Sequence, residues 1–199
     1  VTGGAGYVGS HAAQALVASG HDVVIFDNLS EGHRAAVGNL PFVEANLLDT
    51  DRLVAALKEH RIEAVMHFAA FAYVGVSVTD PAIYYHNNIT GSLSLLDAMR
   101  TAGVNRIVFS SSCATYGIPN RVPITEDHPQ SPISPYGYTK LAFEHALADY
   151  SHAYGLGYAA LRYFNASGAA ADGTIGEDHD PETHLIPLIL QVALGQRES

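Results

Sequence analysis

Thr2-Gly3-Gly4-Ala5-Gly6-Tyr7-Val8-Gly9 stands at the start of the chain, and the way it is read decides the fold. It fits both a Gly-x-x-Gly-x-x-Gly and a Gly-x-Gly-x-x-Gly pattern. Glycines at these places allow a tight turn and close backbone approach, and Gly9 lets a helix pack closely on a strand. The helix that follows presents free N–H groups and the positive end of its dipole, a setting for a pyrophosphate. In isolation an ordinary glycine-rich turn would look the same. The next apolar run, Asp22-Val23-Val24-Ile25-Phe26-Asp27, decides between the two because it ends in an acid 18 residues after Gly9. A carboxylate there accepts hydrogen bonds from both hydroxyls of an adenosine ribose and repels a 2′-phosphate. The expected cofactor is therefore NAD and not NADP.

Outward from this motif, short β-branched or aromatic runs alternate with amphipathic helical patterns, which predicts a parallel sheet with crossover helices. Strands are expected at 22–27, 41–45, 64–69, 106–111 and 158–164, with residues 1–2 as the stub of a first strand. Helices are expected at 7–19, 50–60, 81–102 and 135–154. Asp80-Pro81 and Ser134-Pro135 each offer a cap followed by proline at the first helical position, and Gly20, Gly103 and Gly155 close three of the helices. The fold class is α/β, a Rossmann-like doubly wound parallel sheet. From 166 to 184 the composition shifts to Gly, Asp and Glu. We expect a dinucleotide-binding domain over 1–165 and, over 166–199, the beginning of a smaller substrate domain that opens with a helix near 184–194. The glycine loop starts at Gly3, there is no initiator Met, and the chain stops after an apolar helical stretch, so both ends read as cut and the chain as a fragment.

With 48% hydrophobic and 15% charged residues the chain reads as globular. No apolar run nears the roughly 20 residues that cross a bilayer, and no signal peptide is visible, so no membrane partner is expected. Cys113 is the only cysteine, which precludes an internal disulfide and fits a reducing cytoplasm. A net charge of −10, without Lys/Arg clusters, argues against nucleic acid. An anionic ligand must then be held by local devices such as a helix N-terminus.

The expected strand at 106–111 runs into Ser110-Ser111-Ser112, a hydroxyl cluster at the C-terminal edge of the sheet, where ligands of open α/β sheets sit. Downstream, Tyr136 and Lys140 lie one helical turn apart, and the same face continues through Phe143, Leu147 and Tyr150. A core tyrosine and a surface lysine would be the bland reading. Lysine on an apolar stripe, however, needs a polar partner such as cofactor hydroxyls. A nearby ammonium together with the charge of a bound nicotinamide would lower the phenol pKa from about 10 toward that of a useful base.

Thr-Gly-x-x-Gly-x-x-Gly, the three serines and Tyr136-x-x-x-Lys140 resemble the extended short-chain dehydrogenases. The stretches Phe26-Asp27-Asn28-Leu29, Phe68-Ala69-Ala70, Ser134–Lys140, Leu161-Arg162-Tyr163-Phe164-Asn165, Gly176-Glu177-Asp178 and Thr183-His184-Leu185-Ile186-Pro187 resemble the UDP-glucose 4-epimerases in particular. That resemblance implies an NAD-dependent isomerase, with a UDP-sugar substrate and a homodimeric full-length form. Tyr136 would take the proton of the sugar 4-hydroxyl, Ser112 would be the catalytic hydroxyl, and Lys140 would bind nicotinamide ribose and tune Tyr136. The cofactor would be lined by Gly3, Gly6, Tyr7, Val8, Gly9, Asp27, Asn28, Leu29, Asn46, Leu47, Phe68, Ala69, Ala70, Asn87 and Ser110, with Tyr163 near nicotinamide. The sugar nucleotide would meet Ser112, Tyr136, Phe164, Asn165, His184 and Leu185. Asn87-Asn88 inside a helix fits, since asparagine is a poor helix former; of the two, Asn88 is the one more easily read as merely exposed. Asn46 stands where the resemblance implies an aspartate, though its oxygen still accepts from adenine. Val76 stands where it implies a glutamate.

Asp178, His179, Asp180, Glu182 and His184 crowd one segment, but their spacing matches no firm zinc pattern and no metal is expected. A nucleotide-sugar 4,6-dehydratase would need an acid and base directly after the catalytic hydroxyl, where Cys113-Ala114 stand. A non-catalytic NAD-binding module would have lost Tyr136 or Lys140. Epimerases of UDP-N-acetylglucosamine, UDP-glucuronate or a UDP-pentose remain open alternatives, as does loss of activity in the isolated fragment.

Overall fold

A computed structural model describes residues 1–179, 182 and 184–198. Asp180 and Thr183, quoted above, lie outside the described residues. Along the chain run α1 (Tyr7–Ala18), β1 (Ile25–Asp27), α2 (Arg34–Val37), β2 (Phe42–Glu44), α3 (Thr50–Glu59), β3 (Val65–His67), α4 (Val74–Thr79), α5 (Pro81–Tyr84), α6 (Gly91–Ala102), β4 (Arg106–Ser112), α7 (Pro135–Tyr154), β5 (Gly157–Tyr163) and α8 (Leu185–Ala193).

Every strand pair is parallel, β1 with β2 and β3 with β4 with β5. The two groups meet through Thr2, which bridges Phe26 on one side and His67 on the other. Its N–H donates to the Met66 carbonyl at 2.9 Å, and its carbonyl accepts from Phe68 N–H at 2.9 Å. With the stub counted first, the spatial order is third, second, first, fourth, fifth, sixth, which is the doubly wound arrangement expected from the sequence.

Alternation along β1 sends neighbouring side chains to opposite faces. Phe26 joins a core with Val43, Leu53, Leu57, Leu95, Leu96, Met99, Phe143 and Leu147, so α3, α6 and α7 cover that face. Ile25 joins Ala13 and Val37 on the other face, under α1 and α2. The stripe read on α7 is borne out, with Phe143 and Leu147 fully buried. Among the described residues no helix is long and apolar enough to cross a membrane.

Several boundaries differ from the expectation, each for a local reason. β3 stops at His67 and not at 69: Phe68 makes the last bond across the sheet, to the Thr2 carbonyl, and Ala69 then lies against Gly3. The helix expected over 81–102 is interrupted by a π-turn at Tyr85–Thr90, which carries both asparagines. Asp80 does not cap its helix, whereas Ser134 caps α7 by accepting from Gly137 N–H at 3.2 Å. Gly103 and Gly155 close α6 and α7 in left-handed conformation, as read. The short helices α2 and α4 carry too few residues to show a period.

Candidate active site

The glycine turn sits where the sheet order reverses. Gly3 has φ +70°, and a side chain there would place Cβ 2.4 Å from the Ala69 nitrogen, so only glycine fits. Gly9 is equally constrained, by the Gly3 carbonyl at 2.1 Å from a Cβ, so its close contact is with the turn itself and not with a strand. Gly6 is different. A Cβ there would meet nothing nearer than 3.5 Å, yet the residue lines an open crevice. Space beside a glycine that the protein does not use is space for a ligand to approach the backbone. Gly6 also precedes α1, whose N-terminus has no side-chain cap. The first-turn donors are therefore available to an anion.

The crevice is open to solvent, with a cavity volume of about 90 Å³. Of the predicted cofactor residues it collects Gly3, Gly6, Asp27, Asn28, Asn46, Leu47, Phe68, Ala69, Ala70 and Asn87. Asp27 is buried; one of its oxygens accepts from Ala5 N–H at 3.0 Å and the other from Leu29 N–H at 2.8 Å. Each oxygen keeps a further lone pair for a ribose hydroxyl. The Asn46 oxygen accepts from Leu48 N–H at 2.9 Å. Sequence reading missed Phe26, Ser30, Glu31, Gly32, Ala45 and Phe71 as lining residues. Gly32 alone carried a readable signal, since a Cβ there would sit 2.7 Å from the Ala5 backbone.

Tyr7, Val8, Gly9 and Leu29 frame the crevice without lining it. Tyr7 instead donates its hydroxyl to the Gly168 carbonyl at 2.7 Å, tying α1 to the segment after β5. Ser110, Ser112, Tyr136, Lys140 and Tyr163 gather at the ends of β4 and β5. Ser112 pairs with Tyr163 in the sheet register, and α7 leans onto the turn after β4 because Gly137 lets it approach. A Cβ on Gly137 would meet the Ala114 carbonyl at 2.6 Å.

Lys140 is almost completely buried. Its ammonium donates to the Ser110 carbonyl at 2.8 Å and lies 4.9 Å from the Phe109 ring centroid and 5.6 Å from that of Tyr136. Burial lowers its pKa to about 7. Burial also raises the Tyr136 phenol above its ordinary value, with Ser112 acting in the opposite direction. The expectation of a lowered phenol is therefore corrected for the protein by itself: desolvation outweighs the neighbouring groups. His67, the hydroxyls of Thr2 (2.7 Å) and Ser92 (2.8 Å) on its two ring nitrogens, lies beneath; desolvation and the Lys140 charge lower its pKa to about 3.

Asn88 was misread. It is buried, exchanges hydrogen bonds with both backbone groups of Phe71 (2.9 and 3.0 Å), and donates to Thr139 on α7 at 3.3 Å. A second missed feature is Glu144, which receives Arg162 in a forked pair (2.7–3.2 Å), Gln130 at 3.1 Å and the Ser111 hydroxyl. Burial alone would raise this carboxyl, but these partners hold it below the usual range. Nothing in the structure explains valine at position 76.

Phe164 and Asn165 follow β5 and are exposed. Leu185 is exposed at the start of α8, and the His184 ring packs 5.9 Å from that of Tyr73. His184 also belongs to a group with Glu177, His179 and Glu182, whose ligand-type atoms all lie within 4.8 Å of one another.

A family model described as the NAD dependent epimerase/dehydratase family matches residues 1–199. Among curated proteins, the UDP-glucose 4-epimerase of Lactobacillus helveticus is 54% identical over 98% of this chain, which covers 59% of that protein. Among solved structures, UDP-glucose 4-epimerase from Brucella ovis in complex with NAD superposes with a TM-score of 0.97 at 57% identity, over 99% of this chain and 61% of its own. That from Bifidobacterium longum in complex with NAD+ and UDP gives 0.94 at 34% identity, over 100% of this chain and 62% of its own. The chain thus spans about three fifths of the length of the relatives it matches. From the glycine turn to α8, the whole chain belongs to the NAD dependent epimerase/dehydratase family.

Proposed function

We propose that this chain is the NAD-binding part of an enzyme that inverts C4 of a UDP-hexose, interconverting UDP-glucose and UDP-galactose. The observation that carries this reading is the packing of Tyr136 and Lys140, one turn apart, onto the end of β4 beside Ser112, at the same sheet edge as an uncapped glycine turn. Relatives that share this sequence most fully bear the name UDP-glucose 4-epimerase, which favours the hexose over other sugars.

The residues present suit NAD: an open cradle at Gly6, free N–H groups at the start of α1, and Asp27 with lone pairs to spare. When bound, NAD supplies a hydride acceptor that returns the hydride to the other face of the sugar carbon. The chain's own groups handle the proton. Tyr136 as phenolate takes it from the 4-hydroxyl and gives it back on the return step, and Ser112 holds the sugar oxygen by a hydrogen bond. Lys140 uses one of its three donors on the Ser110 carbonyl, leaving two for ribose hydroxyls. Those hydroxyls replace lost hydration, restore the ammonium charge, and so favour the phenolate of Tyr136, whose ring centroid lies 5.6 Å from the ammonium.

The test is Tyr136→Phe in the full-length protein. NAD affinity and its preference over NADP should persist, while turnover of UDP-galactose falls by about 10²–10⁴-fold. Near-normal turnover in the variant, or a deoxysugar product from the parent, would show that the fold runs a different reaction.

A further inference from the structure

Glu177, His179, Glu182 and His184 stand on the segment before α8, where both imidazoles pack against Tyr73. The two imidazole Nδ1 atoms and the two carboxylates face one another. His184 Nδ1 lies 3.2 Å from Glu177 and 3.0 Å from Glu182; His179 Nδ1 lies 3.6 Å from each of the same two carboxylates. Bonds of 2.0–2.2 Å to a tetrahedral zinc ion place neighbouring donors about 3.4 Å apart. The N–O separations, which involve both Glu182 oxygens, run from 3.0 to 3.6 Å; with one donor atom per residue the four lie within 4.8 Å of one another, so the set must contract to hold the ion.

Burial points the same way. The Glu177 and Glu182 side chains are only 12% and 9% exposed, and His179 is 18% exposed. The Glu177 carboxylate, shielded this far from water, costs free energy unless positive charge lies close. His179 Nδ1 is itself buried and makes no hydrogen bond, although it points between two carboxylates. A buried ring nitrogen without a hydrogen bond calls for an explanation, and a metal ion is one that also answers the Glu177 carboxylate. The surroundings supply rigidity. Tyr73 packs edge-on to His179 at 5.9 Å, the two imidazoles lie 4.8 Å apart, and His184 N–H donates to a Glu182 oxygen at 2.7 Å.

We infer that these four residues form a structural site for one divalent first-row metal ion, zinc by its two-imidazole, two-carboxylate donor set. Four protein ligands fill a tetrahedral shell and leave no position for substrate, so the ion orders the segment and does not enter the chemistry. This departs from the sequence reading, in which the spacing matched no zinc pattern. The residues were conspicuous in the sequence, but their spacing follows no established zinc motif. The inference does not rest on the proposed epimerase activity.

The experiment is metal titration of untagged full-length protein after stripping with a chelator, followed by calorimetry with Zn²⁺ and by absorption with Co²⁺. One equivalent of Zn²⁺ should bind, and Co²⁺ should give the intense visible bands of a tetrahedral site. Loss of even a partner of a ligand costs 10–100-fold in affinity, so His179→Ala and Glu182→Gln should each weaken zinc binding by at least about 100-fold. His152→Ala, on the exposed end of α7, should leave it unchanged. Binding of no ion, a weak octahedral cobalt spectrum, or a zinc affinity in both loop variants equal to that of the parent would overturn the inference. The cobalt spectrum needs only the parent protein, so a variant that fails to fold leaves the question answerable.

Discussion

Lys140 is held where burial disfavours its charge, and this makes a signed prediction about stability. Its pKa falls from 10.5 in the unfolded chain to about 7 in the folded one. Between those values the unfolded state binds more protons, so stability gains as pH rises from 7 toward 10.5 and the penalty is complete below 7. Lys140→Met removes the penalty. The variant should therefore melt higher than the parent at pH 6, by a margin that shrinks at pH 9, while losing NAD affinity. Thermal unfolding monitored by circular dichroism at both pH values checks it, and a margin that grows with pH would contradict the assignment. Asp27 shows a second residue-scale lesson. Its carboxylate ties the glycine turn at Ala5 to the turn at Leu29, so its place at the end of β1 is structural as well as selective.

At the scale of elements, the π-turn Tyr85–Thr90 separates two neighbouring asparagines by task. Asn88 holds the Phe71 backbone and reaches Thr139, which joins the wall of the crevice to the helix bearing Tyr136. Asn87 lines the crevice. Asn88→Ala would leave buried backbone groups of Phe71 unpaired and should destabilise the fold by on the order of 2–3 kcal/mol in urea denaturation. Asn87→Ala should change stability little and weaken NAD binding instead. Equal stability losses in the two variants would refute this division. The sequence made the asparagines conspicuous because helix interiors rarely hold them, but periodicity has no signature for a π-turn, and the roles were assigned to the wrong degree of burial. By contrast, the glycine turn, the closing acid of β1, the α7 stripe and the glycine helix ends were legible, since each rests on a local steric or hydrogen-bonding rule. Glu144 with Arg162 was not, because the two meet only after the sheet is assembled; the crowding before α8 was legible, but its spacing did not mark it as a metal site.

For the whole molecule, the conspicuous surface is α8. Leu185, Ile189, Leu190 and Leu194 are 55–71% exposed, an apolar face on a chain that spans three fifths of its relatives. These 199 residues expressed alone should self-associate and bind a hydrophobic dye, whereas the longer protein should not. Sedimentation of both forms decides it, a monodisperse monomer of the short chain being the contrary result. A final consequence follows from Thr2. Two groups of strands share one continuous sheet because the three residues around Thr2 stitch them: the Val1 carbonyl and Gly3 N–H bond to Phe26 on one flank, and the Thr2 backbone bonds to Met66 and Phe68 on the other. The crevice spans this seam, with Asp27 contributed from one bank and Phe68 and Ala69 from the other. A molecule seated there acts as a splint, resisting any shear of one bank against the other, so that the cofactor becomes a mechanical member of the sheet it was recruited to.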